Sequence, residues 1–455
     1  NKKKNICIKF MKILPTIGPI SNSLRSIKIL NKYSSIFRLN GSHNSIDWHK
    51  QTINRIKKIN SQNQVLLDIP GVKPRTGNKE KVFIQKNQLV SFYYKKNNFK
   101  GLSIPLTHPL PNIKKITNFT LSDGNFLFKI IKRKKDFIIA KSTQSFTLES
   151  KKGLNLPNSI YNDNRQLKLS LKFINKVKKL NFDLIGLSFI QNTKIIKVLK
   201  KKYPHYLIVS KIENSEGLKN AENICKSSDI IMIDRGDLGA EIGNDKLFDS
   251  INKIVSIAKK LGKPVVMATE NLDSMINNNL PSKNDVVSLS YYHSLGIENV
   301  MLSDETATSK NFINTCSWLQ NFIKKKDKKI FSNNKISNDD FIINFLDKNK
   351  NIPLIIFSKK GYLFGKLQKL RSENKINIFT QSQRLNKITH FLNNVDCFLL
   401  KKFNNSNIDT FIKENIKKNK KLIFKKSNNA FLIYVNFPRK NSRANTITLV
   451  SKDDF

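Results

Sequence analysis

Two stretches, LIVSKIEN (207–214) and IIMIDRGDLGAE (230–241), begin as apolar runs of β type and end in charge. Apolar side chains bury a strand, so Lys211 and Glu213 after the first run, and Asp237 just past the second, are expected at a rim. Residues two apart on a strand share a face, so Lys211 and Glu213 can address one ligand while Ile212 faces away. Asp237 then offers a second carboxylate to a shared divalent cation, and such oxygen ligands suit Mg²⁺, with Mn²⁺ as the substitute. Either motif alone reads more simply as a rim salt bridge. The two together favour a reactive site.

Elements that could hold these residues recur along the chain. Apolar β-type runs lie at 12–17, 35–40, 64–69, 183–189, 206–213, 230–235, 264–269 and 299–303, eight in all. Amphipathic segments such as 247–262 lie between most of them, with Gly262 as a stop signal before Pro264. Alternation of this kind predicts an α/β protein built on a (β/α)₈ TIM barrel, whose catalytic groups sit at the C-terminal strand ends. Arg38, Asp68, Ser188, Lys211, Glu213 and Thr269 fall there. An open doubly wound sheet is the rival, but its Gly-rich first turn is missing.

One interval is too long for a barrel connection. From about 77 to 160 the chain shows short alternating segments, VFIQ, LVSFYY, FLFKII and DFIIAKS, with turns at 122–125 and around Gly153. It reads as a small β-barrel lid domain inserted after the third strand, placed to exclude water. The expected division is a catalytic barrel at 1–76 and 161–325, the lid at 77–160, a linker at 326–339 and a C-terminal α/β domain at 340–455. In the last, IPLIIFS, INIFT, DCFLL, LIFKK and AFLIYVNF are read as strand-like runs.

Composition limits the function classes. Net charge is +49, from 82 Lys and Arg against 33 Asp and Glu. The excess is spread end to end, with much Asn, Ile and Phe, as base bias in an A- and T-rich gene would produce. No stacking aromatic motif or recognition helix accompanies it, so specific nucleic-acid binding is not expected. No apolar stretch approaches the ~20 residues of a membrane helix, and the opening segment has too short an apolar core for a secretory signal. A cytoplasmic protein is expected. The chain opens at Asn1 without Met, and Met11 is a candidate start. Cys7, Cys225, Cys316 and Cys397 lie far apart and read as reduced thiols rather than a metal site.

Ten segments in order give a resemblance: MKILPTIGP, IFRLNGSH, VLLDIPGVKPRTG, LSDGN, ESKKGLNLP, LIGLSF, SKIENSEGL, DRGDLGAEI, VVMATENLDSMI and VMLSDETA. The chain resembles the pyruvate kinase family over nearly its whole length. That resemblance implies transfer of phosphoryl from phosphoenolpyruvate to ADP, giving pyruvate and ATP, in a cytoplasmic homotetramer. It implies Glu213 and Asp237 as Mg²⁺ ligands and Lys211 as the ammonium on the transferring phosphoryl and enolate. Gly236 and Asp237 would receive the substrate carboxylate on backbone N–H groups near a helix start. Arg38 and Arg75 would clamp phosphate with forked donors. Asn40, His43 and Arg75 would face the nucleotide, and Thr269 would lie near the enolate's proton donor. Asn40, Ser42 and Asp68 match K⁺ ligands, while Lys73 stands where K⁺-independent members carry Lys, so K⁺ is expected to be dispensable.

Departures from the family pattern are as informative. Gly41 replaces a usual Phe, Gln191 a usual Arg, Asp234 an Ala, and Glu270-Asn271 a Gln-Met pair. Asp234 and Glu270 add negative charge near the metal, which either strengthens cation binding or unbalances phosphate binding. Lys283, Asp285 and Tyr291 alter a region of subunit contact. In the effector loop only Ser358, Lys359, Lys360 and Gly361 remain, so weak or absent allosteric control is expected. Two other readings stay open: a Mg²⁺-enolate lyase on a similar barrel, and a catalytically decayed relative.

Overall fold

The computed structural model describes residues 11–326 except 97, 114, 115 and 123, and residues 345–455 except 347, 348, 350, 351, 359, 360, 371–373, 402–407, 426 and 435–445. Cys7, Asp123, Lys359, Lys360 and the expected linker beyond Lys326 lie outside the described residues.

The eight apolar runs form one parallel sheet: Lys12–Pro15, Ile36–Asn40, Gln64–Ile69, Leu184–Leu187, Leu207–Ile212, Ile230–Asp234, Val265–Ala268 and Asn299–Leu302. They are called the first to eighth strands below. Each hydrogen-bonds to its sequence neighbour from the second to the eighth, and the eighth pairs the first, so the sheet curls into a barrel. A single Thr16–Arg38 bridge and the Ile17 N–H to Arg38 C=O bond nearly close the seam between the first and second.

Alternation along each strand sorts side chains into two cores. Ile208 and Ile212, Ile231 and Ile233, and Val65, Leu67 and Ile69 face outward under the helices. Leu207 and Val209, Ile230 and Met232, and Leu66 face inward as an apolar floor. The next inward positions toward the C-terminal ends are Lys211, Asp234 and Asp68. Period two therefore delivers these charged groups to the barrel mouth.

The helices follow from the same logic. In Leu247–Lys260, Ile251, Ile254, Val255 and Ala258 are buried on one stripe. Gly262, at φ 63°, ends it in the left-handed conformation that favours glycine, and the Gly262 and Lys263 N–H groups return to the carbonyls of Lys259 and Ala258.

Residues 82–160 form a six-stranded sheet ordered 154–155, 118–121, 126–133, 137–142, 89–93 and 102–105, with two two-stranded ribbons pairing 82–84 with 146–148 and 112–113 with 159–160. Phe92, Phe119, Phe128 and Phe146 pack at its centre. The strands at 102–105, 118–121 and 146–148 were not anticipated.

The C-terminal sheet is ordered 395–399, 376–380, 354–357, 429–434 and 446–451. One expectation fails here: LIFKK does not form a strand, because Leu422 and Ile423 end the helix Ile408–Ile423, whose buried stripe of Ile412, Ile416 and Ile423 has helical spacing. This part of the chain meets the barrel's N-terminal end. Arg384 pairs with Asp229, Lys387 with Asp183 at 3.3 Å, and Lys12 Nζ donates to the His390 carbonyl at 2.7 Å.

Phe391 is fully buried in the apolar floor with Ile36, Leu184, Leu207 and Ile230, the opening residues of four strands. It plugs the barrel from below. Phe391→Ala should cost about 3–5 kcal/mol, as aromatic truncations in tight cores do. Urea denaturation measures this, and an unchanged midpoint would show that the plug is dispensable.

Candidate active site

The C-terminal mouth of the barrel holds a knot of buried charge. Lys211 Nζ lies 2.6 Å from Glu213, 3.2 Å from Asp234 and 3.4 Å from Asp68. Arg38, arriving inward from the second strand, places Nη2 2.7 Å from Asp68 Oδ2 and Nη1 3.3 Å from Thr16 Oγ1. Asp68 reaches this position because Gly186 faces it from the fourth strand: a Cβ there would come within 2.9 Å of Asp68 Oδ1. Ser188 Oγ adds a contact to the same oxygen at 3.3 Å.

Burial works against the charge on Lys211, yet Asp68, Glu213 and Asp234 outweigh it and hold the ammonium well above its ordinary pKa. Burial likewise opposes ionisation of Asp68, and Lys211 and Arg38 overcome it, leaving the carboxyl below its usual range. Glu213 goes the other way. Burial raises it to about 8 against the attraction of Lys211, with Asp234 and Asp237 adding repulsion.

Asp237 lies on the first turn of the helix Arg235–Ile242 and forms a direct ion pair with Lys73. Burial opposes its charge, but Lys73, with Lys211 and Arg75 further off, keeps it below the ordinary value. Lys73 is buried and its ammonium lies 5.6 Å over the Phe189 ring. The expected association of Lys73 with Asn40, Ser42 and Asp68 therefore takes another form. Lys73 engages Asp237, while Asp68 is held by Arg38 and Lys211. Asn40 Oδ1 accepts from the Ser42 N–H at 3.1 Å, and Ser42 and His43 are exposed on this turn.

Oxygens of Glu213, Asp234 and Asp237 all lie within 4.8 Å of one another. Glu213 is fully buried; its Oε2 accepts the Phe189 N–H at 2.5 Å, and its Oε1 lies 2.6 Å from the Lys211 ammonium. Hard oxygen donors gathered this closely fit a divalent cation.

Thr269 follows the seventh strand with φ 64°, and Glu270 with φ 51°. A β-branched residue in the left-handed region is strained, and such strain at a strand end points to a positional demand. Its hydroxyl lies 2.9 Å from Asp234 Oδ1 and accepts the Gly236 N–H at 3.0 Å. The Asp237 N–H makes a long contact to Asp234 at 3.5 Å. The two amides expected to receive a carboxylate thus already meet side chains.

The departures resolve differently. Glu270 turns to Arg235, whose guanidinium also holds the Glu270 carbonyl and the Tyr292 hydroxyl, so only Asp234 joins the acidic group. At Gly41 an added Cβ would meet the Phe173 ring at 2.8 Å, so Phe173 fills the space a side chain there would take. Gln191 clasps the chain returning from the lid, accepting the Tyr161 N–H at 2.9 Å and donating to the Tyr161 carbonyl at 3.0 Å.

Arg75 is exposed at the lid side of the mouth and donates to the Lys151 carbonyl at 3.2 Å. Burial, then the charges of Arg75, Lys151 and Arg38, depress the pKa of His43. Arg75 and Lys151 thus give this rim a positive charge suited to polyphosphate, with His43 beside them as a neutral ring. Lys151 was not singled out from sequence, although it stands within ESKKGLNLP; a lysine is a poor signal in so Lys-rich a chain.

Residues 8–315 match the family described as pyruvate kinase, barrel domain. The chain belongs to the pyruvate kinase family. It is 27% identical to a pyruvate kinase of Thermotoga maritima over 70% of this chain and 71% of that one. Against that of Borreliella burgdorferi it is 28% identical over 83% of each, and against that of Buchnera aphidicola 32% identical over 67% of each. The crystal structure of a pyruvate kinase from Cryptosporidium parvum superposes with a TM-score of 0.80 at 25% identity, covering 97% of this chain and 96% of that one. Among the described residues no helix is long and apolar enough to cross a membrane.

A second buried acid lies behind the site. Glu241 is 1% exposed, within 3.4 Å of the Tyr161 hydroxyl, and its Oε2 has no hydrogen bond. Burial raises it to about 8 from 4.5, over the opposing charge of Lys73. Because the folded pKa is the higher one, the stabilisation is complete below about 4.5 and is lost as pH rises toward 8. Glu241→Gln keeps the neutral shape. Its urea stability should fall less than the parent's between acid and alkaline buffers spanning that window, by on the order of a few kcal/mol. Parallel pH profiles would contradict this.

Proposed function

We propose that this protein is a pyruvate kinase, transferring phosphoryl from phosphoenolpyruvate to ADP. The observation that carries the reading is the Lys211 ammonium held among Asp68, Glu213 and Asp234 beside Arg38 at the barrel mouth. Negative charge shifts from the phosphoryl oxygens to the enolate oxygen during this reaction, and a fixed cation in a buried site stabilises that charge without reorganisation. Lys211 supplies it. Arg38 and Arg75 bind phosphate oxygens as planar forked donors, with Asn40 and His43 toward the nucleotide. The Gly236 and Asp237 N–H groups, at a helix start, orient the substrate carboxylate in exchange for their present partners. Thr269 is placed to position the proton that converts enolate to pyruvate.

Glu213 and Asp237 would hold Mg²⁺ or Mn²⁺, which supplies charge neutralisation on the phosphoryl group. The expected division stands as part of the proposal: barrel at 1–76 and 161–325, lid at 77–160 and C-terminal domain at 340–455. So do a cytoplasmic site of action and a homotetramer. No observation favours the lyase or the decayed reading.

A coupled assay for pyruvate, with phosphoenolpyruvate, ADP and Mg²⁺, tests the proposal. Turnover is expected in the parent, with Lys211→Met lowering kcat by on the order of 10²–10³. An inactive parent that is folded and loaded with metal would refute it.

Lys73 brings a fixed ammonium to Asp237. KCl added to a tetramethylammonium buffer should therefore raise turnover little. Strong activation by K⁺ would show that Lys73 does not fill the monovalent cation's role.

A further inference from the structure

The charge count at the barrel mouth is uneven. Asp68, Glu213, Asp234 and Asp237 are carboxylates, and their direct ion pairs are to Arg38, Lys211 and Lys73. Four carboxyl groups thus face three cations. Asp234 is the carboxyl that departs from the family pattern, so it carries the group beyond a one-to-one match with its cations once Glu213, raised by burial to about 8, ionises.

Asp234 is only loosely engaged as a helix cap. It occupies the N-cap position of the helix Arg235–Ile242, where a carboxylate normally accepts a short backbone bond, yet its contact to the Asp237 N–H is stretched to 3.5 Å. Oδ1 turns instead toward the Thr269 hydroxyl, and Oδ2 faces Lys211 at 3.2 Å. The residue is 5% exposed, so its charge is not solvated in the ordinary way. It is also on the inward parity of the sixth strand, which aims it over the same space as Glu213, and its oxygen lies within 4.8 Å of those of Glu213 and Asp237. Glu213 Oε1, buried beside it, is held by the same Lys211 ammonium at 2.6 Å.

We infer that Asp234 is a third carboxylate arm of the divalent-cation site, gripping the ion together with Glu213 and Asp237. This rests on the metal reading proposed above. An added anionic ligand tightens the grip on a hard dication and makes that grip less dependent on oxygens supplied by substrate. The inference also separates Asp234 from Glu270, whose charge is spent on Arg235 at the rim.

The test is binding of Mn²⁺ alone to the full-length protein, without substrates, read from the loss of the free-ion electron paramagnetic resonance signal. Asp234→Asn keeps the size and the hydrogen bond to Thr269 while removing the charge, and Asp234→Ala removes both. Each variant should weaken Mn²⁺ binding by on the order of 10- to 100-fold, the range seen when a residue that tunes a metal site is lost. If either binds Mn²⁺ as tightly as the parent, the inference is overturned. Glu213→Gln keeps this outcome distinct from failure of the underlying reading. Loss of binding in Glu213→Gln but not in the Asp234 variants overturns the third arm alone, whereas a parent that binds no Mn²⁺ overturns both.

Discussion

Everything at the mouth of this barrel depends on keeping charge out of water. Lys211 and the carboxylates of Asp68, Glu213 and Asp234 are almost wholly buried. Any one of them alone would be too costly to ionise there. They are tolerable only as a set, each charge facing an opposite one at 2.6–3.4 Å. The same arrangement that makes the set tolerable makes it useful, since fixed charges in a buried site act strongly on a substrate's charge.

Such a set needs a rigid support, and the barrel provides it from two sides. Below, the inward apolar residues and the Phe391 ring fill the interior, so the charged layer rests on a packed floor. Around it, the outward residues pack under the helices in one continuous cluster. The strained pair Thr269 and Glu270 and the raised acids Glu213 and Glu241 are local costs carried by this frame. The clasp of Gln191 on Tyr161 fixes where the chain re-enters the barrel after the lid.

The departures from the family pattern fall into two kinds. Gly41 with Phe173 is a compensated exchange, in which a side chain from a neighbouring helix fills the vacated volume. Glu270 with Arg235 is also compensated, charge against charge. Asp234 is different. It brings a new carboxylate into an already acidic group, and no cation unique to it accompanies the change.

The sequence alone determined the eight barrel strands and the placing of Lys211, Asp68 and Arg38 at their C-terminal ends, because period-two alternation and strand ends are local properties. Local signals misled at LIFKK, where a short apolar run closes a helix rather than a strand, and they missed brief strands of the inserted segment such as 146–148, whose partner 82–84 is distant in the chain. The residues themselves pointed to Glu213, Asp237 and the Lys211–Glu213 pair, and motif likeness to Thr269, but the partners of Asp237 and Thr269 were not legible. Only the tertiary structure decided that Lys73 meets Asp237, that Asp234 rather than Glu270 joins the acidic group, and that Phe391 seals the barrel. The physical reason is separation. These contacts join residues far apart in the chain, and in one with 82 cationic side chains nothing in composition tells which lysine is buried and paired.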